Sequence, residues 1–174
     1  MPKEIIIISK NTNRPTLLLF TDGSVNPKIN IGYGTYLVID EDKLSNNLQV
    51  EDIKTKRFEN TSSTKLELET LLWAFSEIDL ENCKIIIYTD CQNIIGLRDR
   101  REGFEKSGYF SKTNKLIRNH ELYKEFYKKI DLTESKFIKV KGHIKKSHKD
   151  EIDKIFTLVD KASRAALREN TEFL

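Results

Sequence analysis

The chain has 174 residues, 38% of them hydrophobic and 33% charged, with a formal net charge of +3, which is the make-up of one folded domain rather than two domains or a disordered tract. Its longest apolar runs, Ile5 to Ile8, Leu17 to Phe20 and Ile85 to Tyr88, fall far short of the roughly 20 residues of a membrane helix, and the N-terminus lacks the apolar region and cleavage site of a signal peptide. The only cysteines, Cys83 and Cys91, are too few for a disulfide framework or a cysteine zinc site, so a reducing, cytoplasmic setting with no membrane partner is expected.

Ile5 to Ile8 and Thr16 to Thr21 read as strands divided by an Asn-Thr-Asn-Arg-Pro turn signal, and Tyr33 to Asp40 reads as a third. Ile53 to Phe58, rich in β-branched residues, is expected as an edge strand. The period then changes. Leu66, Leu68, Leu71, Leu72, Phe75 and Ile78 recur mostly at three and four, which predicts a helix from Thr64 with Ser62 or Ser63 as its N-cap. Lys84 to Thr89 is a buried strand and Asn93 to Leu97 opens a short helix. Glu121 to Ile130 is helical, Phe137 to Val140 is a strand, and His148 to Arg168 carries Ile152, Ile155, Phe156, Val159, Ala162 and Ala166 at helical spacing. Short early connections predict antiparallel pairing, and strands reached through helices predict parallel pairing. The expected fold is α/β, a mixed sheet with helices on its faces.

Charge is unevenly spread. Arg98 to Arg118 holds seven basic residues against three acids, interleaved with Phe104, Tyr109 and Phe110, and Lys136 to Lys149 holds six lysines, His143 and His148 with no acid. Either run alone is an ordinary solvated face. Together they favour a phosphate backbone as partner.

Four carboxylates carry the chemistry. Asp22 ends the most hydrophobic strand and Asp90 ends a second one, so both are delivered to the strand-end region where ligand sites gather in such sheets. Two acids there repel unless a cation lies between them. Glu67 sits within the apolar stripe of the first helix and Asp160 beside that of the last, positions where an unpartnered carboxylate is expensive to desolvate. Four converging acids would form an all-oxygen site suited to Mg²⁺ or Mn²⁺ rather than zinc.

The pieces Thr21-Asp22-Gly23-Ser24, Gly32-Tyr33-Gly34, Leu66-Glu67-Leu68, Thr89-Asp90-Cys91-Gln92, Val140-Lys141-Gly142-His143 and Val159-Asp160-Lys161 occur in an order that resembles the type 1 ribonuclease H family, including the RNase H domains of retroviral reverse transcriptases. The resemblance spans about Leu17 to Arg168. It implies a five-stranded mixed sheet, three antiparallel strands then two parallel, flanked by helices in a domain of residues 16–174. Residues 1–15 stand as an N-terminal extension able to add an edge strand. It also implies an endonuclease that cuts the RNA strand of RNA/DNA hybrids and leaves 5′-phosphate and 3′-hydroxyl ends; a monomer is expected.

The same resemblance implies two Mg²⁺ ions, with Mn²⁺ able to substitute, held by Asp22, Glu67, Asp90 and Asp160. It makes His143 a proton-transfer and product-release residue, gives Gly23, Ser24, Ser63, Thr64, Gln92 and Asn119 to substrate contact, and makes Arg98 to Asn119 a basic protrusion that grips the DNA strand. Ser63 and Thr64 stand where family members usually have asparagines, Cys91 where serine is common, and Tyr109 where tryptophan is usual. Seventeen positions separate His143 from Asp160, a longer gap than is common, so Asp153 competes for the fourth place. Val-Asp-Lys-Ala-Ser-Arg is the better match and favours Asp160. Two other readings stay open: a nuclease of this fold acting on DNA junctions or 3′ ends, and a catalytically silent hybrid-binding module.

Overall fold

The computed structural model describes residues 13–44, 52–141 and 150–171. The strand expected at Ile5 to Ile8 and the histidine His143 lie outside the described residues. Among those described, five strands form one sheet in the order β3-β2-β1-β4-β5. β1 (Thr16–Asn26), β2 (Ile31–Asp40) and β3 (Lys54–Glu59) pair antiparallel, while β4 (Lys84–Thr89) joins β1 in parallel and β5 (Glu134–Lys139) joins β4 in parallel. This is the mixed sheet that the sequence implies. The outermost β3 exposes Lys54, Lys56 and Arg57, charges that discourage another chain from adding to that edge.

Helices cover both faces. α1 (Ser63–Ser76) and α4 (His120–Ile130) enclose a core with Leu19, Ile85 and Ile87, and α5 (Glu151–Thr171) closes the other face over Leu18, Phe20, Leu37 and Tyr88. The split follows from the two-residue period of β1, whose odd and even positions face opposite sides. Phe20 and Tyr88, on neighbouring strands, stack at 4.8 Å on the α5 side. Ser62 occupies the N-cap of α1 but makes no side-chain capping bond. Between β4 and α4 lie the short α2 (Gln92–Ile95) and α3 (Leu97–Lys106). Among the described residues no helix is long and apolar enough to cross a membrane.

A patch of glycines sets the depth of α1. Gly23 pairs with Gly34 across β1 and β2, and Gly32 lies one pair further along the same face. A Cβ on Gly32 would fall 2.6 Å from Leu66 Cδ2, and one on Gly34 would fall 2.0 Å from Thr70 Oγ1. The helix therefore rests almost on the backbone of the sheet, and this close approach carries Glu67 to the middle of β1, beside Asp22 and Gly23. Gly32-Tyr33-Gly34 thus has a steric reason for its composition.

Candidate active site

β1 and β4 run side by side up to the pair Phe20 and Tyr88, after which β1 continues with β2 while the chain leaves β4. Asp22 and Asp90 stand at this fork. The backbone N–H of Cys91 donates to Thr89 Oγ1 at 3.1 Å, a local turn that holds Asp90 just beyond the strand. α1 supplies Glu67 from one face and α5 supplies Asp160 from the other. The cleft between them is lined by Asp22, Gly23, Ser24, Ser63, Thr64, Glu67, Asp90, Cys91, Asp160 and Arg164.

One carboxylate oxygen each from Asp22, Glu67 and Asp90 lies within 4.8 Å of the others, with Asp22 and Glu67 buried and Asp90 exposed. Their electrostatics are those of unneutralised neighbours. Burial pushes the Asp22 carboxyl up to about 7, with Asp160 and Asp90 adding repulsion and the Ser163 hydroxyl and Gly23 N–H opposing it. Burial, then the charges of Asp22 and Asp90, raise Glu67 well above the usual carboxylate range. Asp90 is also raised, by burial first and Asp160 second. Glu67 Oε2 is buried and has no hydrogen-bond partner among the described residues, so its lone pairs are available to a cation. Three carboxylates gathered this closely, one with a free buried oxygen, fit a hard divalent cation bound through oxygen.

Of the expected site residues, Asp22, Gly23, Ser24, Ser63, Thr64, Glu67, Asp90 and Asp160 converge on the cleft. Asp153, the competitor of Asp160, sits half-buried in the first turn of α5, outside the lining. Gln92 also lies outside it, its Oε1 accepting a 2.7 Å hydrogen bond from Lys139 Nζ. Asn119 is further removed in role: it takes a left-handed conformation (φ 63°) as the N-cap of α4. Three residues of the cleft have no site role in the sequence reading: Cys91 and Arg164 on the wall, and Ser163 bonded to Asp22 beneath it. Ser163 and Arg164 stand in the Val-Asp-Lys-Ala-Ser-Arg stretch, three and four positions after Asp160, so they share its side of α5.

The basic protrusion differs from its expected form. Arg98 reaches Ser135 and lies 5.2 Å from the Phe137 ring centroid. Arg100 bonds the Asn93 side chain at 2.8 Å and the Gly96 carbonyl at 3.1 Å. Arg101 forks onto both Asp131 oxygens at 2.6 and 2.9 Å and also pairs with Glu105. Phe104 stacks on Tyr123 at 5.4 Å, and Tyr109 is buried. These arginines and aromatics tie the protrusion to β5 and to the end of α4 as well as to itself. Lys106, Lys112, Lys115 and Arg118 remain exposed, as does Phe110.

A sheet in this order, flanked on both faces and carrying clustered carboxylates at its central fork, defines a ribonuclease H-like protein. The sequence pattern of the RNase H family matches residues 14–164. The chain belongs to that family. The Ribonuclease H of Clostridium botulinum (strain Hall) is 28% identical over 145 residues, which covers 80% of this chain and 91% of the relative. That of Caldicellulosiruptor saccharolyticus is 24% identical over 113 residues, or 64% and 72% of the two chains. In fold the chain resembles native prototype foamy virus protease-reverse transcriptase, with a TM-score of 0.68 and 14% identity, over 87% of this chain and 20% of that one. A foamy viral protease-reverse transcriptase in complex with an RNA/DNA hybrid gives a TM-score of 0.63 at 10% identity, with the same shares.

Proposed function

We propose that this chain is a metal-dependent endonuclease that hydrolyses the RNA strand of RNA/DNA hybrids, leaving 5′-phosphate and 3′-hydroxyl ends. The observation that carries the reading is the carboxylate triad of Asp22, Glu67 and Asp90, whose oxygens lie within 4.8 Å at the β1/β4 fork. Asp22, Glu67, Asp90 and Asp160 would hold two Mg²⁺ ions, with Mn²⁺ able to replace them. Bound there, the ions supply Lewis-acid activation of the attacking water and neutralise charge on the departing 3′ oxygen.

The remaining work falls to the chain. Gly23, Ser24, Ser63 and Thr64 present backbone and hydroxyl groups along the cleft wall, where they suit the 2′-hydroxyls displayed in a wide, shallow minor groove. Gln92 contacts the duplex at the cleft edge, with its amide oxygen tied to Lys139. His143 is assigned proton transfer and product release by its place in the family motif, and Asn119 a contact to the DNA strand. The exposed lysines of the protrusion hold backbone phosphates. Names among its relatives and the hybrid-bound foamy viral neighbour support this substrate.

The test offers purified protein and Mg²⁺ a labelled hybrid, duplex DNA, duplex RNA and single strands side by side. Cleavage confined to the RNA of the hybrid is expected. Preferential cutting of DNA would overturn the substrate, and binding of hybrid without any cleavage would make the chain a silent module.

A further inference from the structure

The apolar stripe of α5 runs through Ile155, Phe156 and Val159, and its next position is taken by Ser163, which is fully buried. A hydroxyl in a core position is costly unless it has partners. Ser163 Oγ has three: Asp22 Oδ2 at 2.7 Å, Ser24 Oγ at 2.9 Å and the carbonyl oxygen of Asp160 at 3.0 Å. It carries one proton and two acceptor lone pairs. A carboxylate and a carbonyl only accept, and of the two, the carboxylate bond is shorter and charge-assisted. The Ser163 proton therefore goes to Asp22, and Ser24 donates to Ser163, giving the directed chain Ser24 to Ser163 to Asp22.

We propose that Ser163 is a positioning residue: its hydroxyl fixes the orientation of the Asp22 carboxylate for the divalent ion and ties that carboxylate to Ser24 on the cleft wall. The inference rests on the metal-dependent nuclease reading above. Fixing Oδ2 fixes the carboxylate plane, and with it the direction of Oδ1. Nothing else on α5 does this for Asp22, whose acidic neighbours Asp160 and Asp90 push its charge away. A serine serving only its own helix would be satisfied by the Asp160 carbonyl alone. The contacts to β1, 141 and 139 residues away in sequence, have no such local purpose.

The experiment measures Mn²⁺ binding to the hybrid-free protein by calorimetry, together with Mg²⁺-dependent hybrid cleavage, for wild type, Ser163→Ala, Ser163→Thr, Ser163→Val and Asp22→Asn. Circular dichroism checks folding. Ser163→Ala should weaken Mn²⁺ binding about tenfold or more, as removal of a metal ligand's hydrogen-bond partner usually does. It should also lower kcat while KM for hybrid stays within about twofold. Ser163→Thr, which keeps the hydroxyl, should bind Mn²⁺ far better than Ser163→Val, which has the same shape without it. That pair decides the matter if Ser163→Ala folds poorly. Wild-type affinity in Ser163→Ala, or equal affinities in the Thr and Val variants, would overturn the inference while leaving the nuclease reading intact. The reading itself fails separately, if Asp22→Asn keeps wild-type Mn²⁺ affinity and cleavage.

Discussion

Arg164 Nε donates to Asp160 Oδ1 at 2.8 Å, one turn further along α5, so the fourth acid of the cleft is held by a cation of its own helix. Asp22, Glu67 and Asp90 form the tight triad, and Asp160 borders it with an exchangeable partner. Asp153 lies two turns earlier, outside the cleft. Asp160→Asn is therefore expected to lower kcat by about 100-fold or more, whereas Asp153→Asn costs less than about tenfold, or ~1.4 kcal/mol of barrier. Steady-state kinetics on a hybrid substrate read both. An inactive Asp153→Asn beside an active Asp160→Asn would reverse the assignment.

The protrusion separates into bracing and binding residues. Arg101→Ala removes a forked ion pair with Asp131 and a cation lying 5.1 Å from the Tyr127 ring centroid, at a cost of about 1 kcal/mol in urea unfolding. Lys112 and Lys115 stand exposed on a turn closed by the bridge between Phe110 and Leu116. Replacing both by alanine should leave stability unchanged, raise KM and reduce the salt dependence of hybrid binding by about two counterions. An unchanged salt slope would return these lysines to the solvated surface.

Gly34→Ala tests the close approach of α1. With Thr70 Oγ1 standing 2.0 Å from the added Cβ, either the helix or the strand must move, at a cost of about 2 kcal/mol or more. Because Glu67 rides on the same turns of α1, activity should fall along with stability. Adding Thr70→Ala should restore part of both. Full wild-type stability in Gly34→Ala would show that the helix does not rest on the strand backbone.

Three donors converge on Glu77 at the end of α1: Lys54 Nζ at 2.5 Å, Tyr36 Oη at 2.6 Å and Trp73 Nε1 at 3.0 Å. The Lys54 bond, followed by that of Tyr36, holds its carboxyl down to about 2. Folding thus lowers this pKa below its unfolded value of about 4.3. Between the two values the unfolded chain binds more protons, so the stabilisation is complete above about pH 5 and is lost as pH falls toward 2. Glu77→Gln should lower Tm at pH 7, with the gap to wild type closing across that window. A gap independent of pH would contradict a role for the charge.

What the sequence reveals depends on how local its cause is. β4 runs from Lys84 to Thr89 as its apolar pattern predicts, with Asp90 just beyond it, whereas Asp22 does not end its strand as expected: it closes the buried run, and β1 continues to Asn26 because β2 goes on pairing with it. Glu67 and Asp160 are legible as acids beside helical stripes. The bracing role of Arg101 is not, because its partner Asp131 lies 30 residues away on another element. Gln92 Oε1 accepts from Lys139 across 47 residues, and Ser163 meets Asp22 across 141. A basic run gives the sign of its charge but not which cations the fold has already neutralised.

The central claim, that the fork carboxylates form the catalytic centre of a hybrid-specific nuclease, is tested most directly by mapping cleavage ends. A hybrid labelled on each strand in turn is incubated with wild type in Mg²⁺, wild type in excess chelator, and Asp90→Asn in Mg²⁺. The account predicts internal cuts in the RNA alone, with 5′-phosphate and 3′-hydroxyl ends, lost on chelation and reduced by orders of magnitude in Asp90→Asn, which trades the ligand's charge for a neutral amide. Undiminished cleavage of the RNA by Asp90→Asn, or by wild type without divalent metal, would contradict it.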